Sequence, residues 1–258
     1  MDDQRIALIT GATAGIGEAI AHKLGKQGFN LVLTGRRKER LDAIAITLYE
    51  KYQVELKTLH FDVRNQKETE TALNQLPVKW QSIDVLINNA GLAKGFHDIH
   101  EGKLQHWETM IDTNMKGLLY VTRVVSPWMV ARKAGQIINI SSIAGHEVYP
   151  KGNVYCGTKH AVDAMTKGMR LDLHKYNIRV SSISPGHVET EFAVVRFDGD
   201  EERAKIYEDF NPLTAFDVAE AAWYVIAQPP HVTVHDILLT GTQQASATTI
   251  QRDGRKTK

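Results

Sequence analysis

The stretch that decides the fold is Ile6-Ala7-Leu8-Ile9-Thr10-Gly11-Ala12-Thr13-Ala14-Gly15-Ile16-Gly17. Its first five residues form an apolar run closed by a threonine, the pattern of a strand buried on both faces. Glycines follow at once in the spacing G-x-x-x-G-x-G. Ile16, Ile20 and Leu24 then recur at near-helical intervals, so Gly15 to Gly28 reads as a helix. Gly11 permits the tight turn, Gly15 lets backbone approach a pyrophosphate, and Gly17 permits close helix–strand packing. The free N–H groups of the helix start favour phosphate. A ligand-free glycine turn would show the same spacing, but its place between strand and helix favours a dinucleotide site.

Outward from this loop, short apolar runs alternate with helical patterns. Strands are expected at Leu31 to Thr34, Val54 to Phe61, Ile83 to Ile87, Gln136 to Ser141, Arg179 to Ser184 and Asp236 to Leu239. Helices are expected at Lys38 to Lys51, Gln66 to Leu76, 104–132, 153–175 and 215–227. The alternation predicts an α/β fold, a Rossmann-like doubly wound parallel sheet with helices on both faces and right-handed connections. With no repeat or Pro/Ser-rich linker, residues 1–250 read as a single domain. Residues 191–212 interrupt the pattern as a lid-like segment, and 251–258 form a polar tail expected to fray.

The net charge is +1, from 31 basic and 30 acidic residues, which argues against a nucleic-acid or membrane-surface protein. The one cysteine, Cys156, permits no intrachain disulfide and fits a reducing compartment. The N-terminal residues lack the basic-then-apolar pattern of a secretory signal, and no apolar run is long enough for a membrane span. The expectation is a soluble cytoplasmic protein that acts on a small molecule and has no metal site.

The second expected strand ends Thr34-Gly35-Arg36-Arg37. A site selective for NAD would place a carboxylate here for the ribose 2′-hydroxyl, whereas guanidinium forks suit a 2′-phosphate. Arg36 and Arg37 therefore point to NADP(H), against the alternative of a solvated helix start paired with Glu39. Asp62-Val63 after the third strand either reaches the adenine edge or caps the next helix, which begins near Asn65.

Tyr155 and Lys159 are four apart at the start of an expected helix and so share one face. A nearby ammonium and the helix N-terminus would both lower the phenol pKa, making the pair a candidate general acid/base. Spacing alone does not separate this from a surface pair.

The other motifs do. The chain resembles the short-chain dehydrogenase/reductase superfamily over nearly its whole length. The shared features are the Thr10–Gly17 loop, Asn88-Asn89-Ala90-Gly91, Asn114, Ser141-Ser142, Tyr155-Cys156-Gly157-Thr158-Lys159, and Pro185-Gly186 with Thr190 close behind. The resemblance implies that Tyr155 exchanges the proton with the substrate oxygen and that Ser142, thirteen positions earlier, hydrogen-bonds that oxygen. It implies that Lys159 lowers the Tyr155 pKa and holds the nicotinamide ribose, while Asn114 links Lys159 to solvent through a water. Cofactor contacts are implied for Gly11, Thr13, Gly15, Ile16, Gly17, Arg36, Arg37, Asp62, Val63, Asn89, Ala90, Gly91, Pro185, Gly186, Val188 and Thr190, besides Tyr155 and Lys159. Cys156 has no triad partner and reads as packing.

Thr34-Gly35-Arg36-Arg37, Trp107 to Asn114 and Val188 to Phe192 with Val195-Arg196-Phe197 are similar to the NADP-dependent 3-hydroxy acid dehydrogenases, also described as serine 3-dehydrogenases. The subgroup often has serine or alanine where this chain has Cys156-Gly157-Thr158. The resemblance implies a substrate carboxylate, for which Arg196 is the candidate cation, with His146 and His187 as others. Alternatively Arg196 makes a surface salt bridge to Glu201 or Glu202. Other carbonyl substrates, such as 3-oxoacyl thioesters, sugars or diketones, and a non-catalytic NADP(H)-sensing role are the competing readings. Relatives are commonly homotetramers, in which Val121, Val125, Met165 and Met169 would bury against either a partner or the sheet.

The cofactor reading predicts that the double substitution Arg36→Asp with Arg37→Ser inverts the preference between NADPH and NADH. Equilibrium binding of both nucleotides checks it, and unchanged NADPH affinity would refute the assignment.

Overall fold

The computed structural model describes residues 4–255. Strand β1 is Ile6–Thr10 and passes through the glycine loop into helix α1, Gly15–Lys26. Next come β2 (Asn30–Gly35), α2 (Lys38–Tyr52), β3 (Leu56–His60), α3 (Gln66–Asn74) and β4 (Ile83–Asn88). Beyond them lie α4 (Leu104–Ile111), α5 (Leu118–Arg132), β5 (Gly135–Ile140), α6 (Asn153–Leu173) and β6 (Ile178–Pro185). Short elements follow: β7 (Val188–Glu189), α7 (Phe192–Arg196), α8 (Glu201–Ala204) and β8 (Leu213–Thr214). The series ends with α9 (Ala215–Ile226) and β9 (Asp236–Leu239).

The strands form one seven-stranded sheet in the order β3-β2-β1-β4-β5-β6-β9. Every neighbouring pair in it is parallel. All five residues of β1 are buried because alternate side chains feed two different cores. Ala7 and Ile9 pack with Ile20 and Leu24 of α1 and Val218 and Val225 of α9, whereas Ile6 and Leu8 pack with Leu73 of α3 and Val121 and Val125 of α5. Val121, Val125 and Met169 thus pack against the sheet. The chain builds outward from β1 to β3 and then returns to β4 on the other side of β1. That reversal opens a crevice at the carboxyl ends of β1 and β4, where an α/β sheet binds its ligand.

Four features differ from the sequence reading. The helix expected over 104–132 is broken by a π turn at Asp112–Gly117. Strand β3 is shorter than Val54 to Phe61, as fits an edge strand with half its side chains in water. Residues 191–212 carry α7 and α8, and a two-residue parallel ladder pairing Val188 with Leu213 and Glu189 with Thr214 draws their ends together. Residues 251–255 are docked rather than frayed. Gln251 N donates to Gln243 O at 2.8 Å, Gly254 N donates to Asp209 O at 2.9 Å, and Arg252 pairs with Asp209 at 2.6 Å. The rest of the expected tail, 256–258, lies outside the described residues. Among the described residues no helix is long and apolar enough to cross a membrane.

Candidate active site

A single cavity of about 650 Å³ runs from the glycine loop to the lid segment. Of the sequence-derived site residues, all but Gly17, Asn114 and the alternative cation His146 line it. At the loop, Gly15 has φ +56°, and a Cβ there would meet Thr190 Cγ2 at 3.2 Å. A Cβ on Gly17 would strike the Gly11 carbonyl oxygen and would lie 2.5 Å from Asn89 Nδ2. Gly17 is therefore a packing position behind the wall. Asn89 Nδ2 donates to Thr10 O at 2.9 Å and to Gly11 O at 3.1 Å, which fixes the loop to the end of β4.

The start of α1 is open: its N-cap, Ala14, supplies no side-chain hydrogen bond. Arg36, with 57% of its side chain exposed, lines the cavity and meets Asp62 only at 3.8 Å. Arg37 is held on the loop by bonds from Nη2 to Thr13 O at 3.2 Å and to Thr13 Oγ1 at 3.0 Å. Its charged partner is Glu191 at 2.8 Å, not the expected Glu39, and Arg40 meets the same carboxylate at 2.6 Å. Asp62 does not cap the following helix. Asn65 does, accepting from Glu68 N at 3.2 Å, while Asp62 accepts from Arg64 N at 3.0 Å. This wall of glycine backbone, open helix N–H groups and guanidinium donors fits a phosphorylated dinucleotide.

At the other end, Tyr155 is 8% exposed and Lys159 5%. Lys159 Nζ donates to Ile140 O at 2.9 Å and sits 6.0 Å from the Tyr155 ring centroid. The Ser142 hydroxyl is placed to favour ionisation of the Tyr155 phenol and accepts from Ala144 N at 3.1 Å, whereas Ser141 Oγ turns away to Lys159 O at 3.4 Å. Asn114 lies in the π turn. Its Nδ2 donates to Leu92 O at 2.8 Å and Thr158 Oγ1 at 3.0 Å, and its Oδ1 accepts from Leu92 N at 2.8 Å. Cys156 is buried in the cluster that holds Tyr155, and burial pushes its thiol pKa up.

The electrostatics correct one expectation. Burial pushes the Tyr155 pKa well above its ordinary value, and nearby Tyr149 adds to this. Within the chain the opposing groups are the Ser142 hydroxyl and the Arg196 guanidinium. Lys159 is not among the groups that act on the phenol in the protein alone, and burial carries its own ammonium down to about 8.

Arg196 does not pair with Glu201 or Glu202; Glu202 takes Lys205 at 2.8 Å. Its guanidinium carbon instead lies 4.7 Å from the Phe96 ring centroid, 5.5 Å from that of Tyr149 and 6.0 Å from that of Tyr155. Its Nε is buried with no hydrogen-bond partner. His187 lines the cavity and burial lowers its pKa, so it is no cation at neutral pH. His146 lies outside the cavity lining and faces Asp236 at 3.3 Å. Sequence reasoning missed Phe96, Tyr149, Phe192 and Tyr207, which line the reacting end. They sit in loops and short elements where no periodicity marks them.

The short chain dehydrogenase family model matches residues 5–201, and the chain belongs to that family. It is 47% identical over 94% of its length to the NADP-dependent 3-hydroxy acid dehydrogenase YdfG of Salmonella typhi, covering 97% of that protein. It is 42% identical over 93% of its length to the serine 3-dehydrogenase of Agrobacterium fabrum, covering 95% of it. Among solved structures, the closed form of serine dehydrogenase complexed with NADP+ superposes with a TM-score of 0.89 at 45% identity. That match covers 94% of this chain and 97% of the other.

The buried lysine carries a pH signature. The unfolded chain holds the Lys159 proton up to its ordinary value of 10.5, while the folded chain releases it above about 8. Between those values the unfolded state binds more protons, so stability rises with pH through this window. Relative to Lys159→Met, the wild type should gain about 2 kcal/mol at most between pH 7 and 9.5. Denaturant titrations of both proteins at the two pH values check this, and a constant difference would contradict it.

Proposed function

We propose that this protein is an NADP(H)-dependent oxidoreductase that interconverts a 3-hydroxy acid and its 3-oxo acid. Candidate substrates are of the L-serine, 3-hydroxypropionate or 3-hydroxyisobutyrate type. The observation that carries this reading is Arg196, whose guanidinium carbon lies 6.0 Å from the ring of the acid–base candidate Tyr155 inside the dinucleotide cavity. A substrate reaching both must carry an anion within a few bonds of its reacting oxygen. NADP(H), when bound, supplies or accepts the hydride.

The chain's own residues do the rest. Tyr155 holds its proton strongly and donates it to the carbonyl oxygen in reduction, leaving a phenolate; in oxidation that phenolate takes the hydroxyl proton. Ser142, whose hydroxyl acts on the phenol, orients the same oxygen and meets the charge that develops on it. Lys159, whose ammonium burial lowers to about 8, gives its proton to the phenolate after reduction and takes it back before oxidation. Asn114 holds the Leu92 backbone and Thr158 and so positions the helix bearing the pair. Arg36 is the exposed guanidinium for the 2′-phosphate, with Arg37 beside it.

Residues 1–250 act on this reading as one catalytic domain, with 191–212 the lid over the substrate. Four arms of steady-state kinetics test the reading: L-serine, 3-hydroxypropionate, 3-hydroxyisobutyrate and an acetoacetyl thioester, each with NADP(H). Tyr155→Phe should cost about a hundredfold or more in turnover while NADPH affinity stays near that of the wild type. Arg196→Ala should raise KM for the hydroxy acids about tenfold. Preference for the thioester, with Arg196→Ala silent, would assign the protein to the other carbonyl reductases.

A cytoplasmic homotetramer is the assembly we favour. Leu104, Leu119 and Leu171, on α4, α5 and α6, are 70%, 42% and 74% exposed, which leaves apolar surface for a partner subunit. A monomeric mass in solution would rule it out.

A further inference from the structure

The lid around Arg196 is crowded with acid: Asp198, Asp200, Glu201 and Glu202 follow it within six residues. An arginine in such company is ordinarily neutralised by a neighbour. The fold engages three of these four carboxylates elsewhere. Asp200 caps α8, accepting from Arg203 N at 3.0 Å, and Glu202 takes Lys205 at 2.8 Å. Asp198, the nearest in sequence, accepts from Lys94 Nζ on Oδ1 at 2.6 Å and faces His106 Nε2 from Oδ2 at 3.4 Å.

Both Asp198 partners come from outside the lid, Lys94 from the loop after β4 and His106 from α4. The hydrogen bond from Lys94 holds the Asp198 carboxyl below its ordinary pKa, so the contact is between ions. Asp198 adopts φ 56°, the left-handed conformation common just past a helix end and tolerated by aspartate, and it closes α7. The same loop grips the residues beside it. Gly95 N donates to Arg196 O at 3.0 Å, and Phe96 packs edge-on against Phe197 at 6.3 Å. Asn153 Nδ2 donates to His97 O at 3.1 Å and ties that loop to the first turn of α6, two residues before Tyr155.

We propose that Asp198 is a positioning residue. Docked on Lys94 and His106, its carboxylate is held where it does not neutralise Arg196, and that arginine is left to bind the carboxylate of a 3-hydroxy acid. The inference rests on the reading of Arg196 given above. It makes Lys94 the guard of the arrangement: remove Lys94, and the freed carboxylate swings to the cation two residues away.

The test is steady-state kinetics of the NADP-saturated enzyme on 3-hydroxypropionate and on its uncharged methyl ester. The proteins are wild type, Lys94→Met, Lys94→Met with Asp198→Asn, Arg196→Ala, and Arg196→Ala with Lys94→Met. Lys94→Met should raise KM for the acid about fivefold, with little change in kcat and none in KM for the ester. Adding Asp198→Asn should bring KM back toward the wild type, a rescue that mere loss of a structural contact cannot produce. In the Arg196→Ala background Lys94→Met should add nothing. If Arg196→Ala leaves KM for the acid unchanged, the carboxylate reading falls and this proposal with it. If Arg196→Ala raises KM but Lys94→Met does not, or weakens acid and ester alike, or is not rescued by Asp198→Asn, only the role of Asp198 is overturned.

Discussion

The site depends on a buried amide. Asn114 has two N–H donors and one carbonyl acceptor to satisfy away from water, and leaving any of them unpaired would be costly. It satisfies all three on two elements: the backbone of Leu92 beyond β4 and the Thr158 hydroxyl in α6. Thr158 Oγ1 donates in turn to Tyr155 O at 2.8 Å, so the knot reaches the acid–base residue within two bonds. The π turn at Asp112–Gly117 accompanies this geometry. Single π turns inside helices recur at functional positions, where an inserted residue re-aims one side chain.

Much of the fold was legible because β1, β2 and β4 are covered on both faces and read as unbroken apolar runs. The helices between them keep one apolar stripe. The glycine loop was legible because backbone that approaches this closely excludes side chains: a Cβ on Gly35 would come within 2.6 Å of Thr13 Cγ2. The π turn left no trace, since Trp107 to Asn114 keeps helical apolar spacing and a change in hydrogen-bond register has no composition of its own. The partners of the lid were illegible for another reason. Local charge suggested Glu201 and Glu202 for Arg196 and Glu39 for Arg37, but the chain pairs Glu191 with Arg37 across 154 positions and Asp198 with Lys94 across 104. Tertiary pairing overrides proximity in sequence wherever a segment folds back over a cleft. The tail followed the same logic: Arg252 and Gly254 find Asp209, a residue of the lid region.

The acid–base pair shows how burial reshapes a motif. Spacing put an ammonium near a phenol and implied a lowered phenol pKa. Burial acts on both groups in opposite directions, raising the acid whose charged form is an anion and lowering the one whose charged form is a cation. The result is a tyrosine that keeps its proton and a lysine poised near 8. Two groups whose environments push their pKa values apart can hand a proton along in a defined direction. The pull on the phenol comes instead from Ser142 and Arg196, the two groups assigned to the substrate.

The cavity is cationic at both ends, and the two ends use their charge differently. Arg36 and Arg37 are largely solvated, so an anion there meets a screened field and gains mainly by geometry. Arg196 lies among aromatic rings, where the same charge acts over a weaker dielectric and where its orphaned Nε makes a missing partner expensive. The five-residue helix α7 spans the distance between these regimes. Glu191 before it is committed to Arg37 and Arg40, and Asp198 after it to Lys94 and His106. Each carboxylate anchors the lid by meeting a cation that belongs to another element. On the proposed reading, the cation between the two anchors keeps its charge for the ligand.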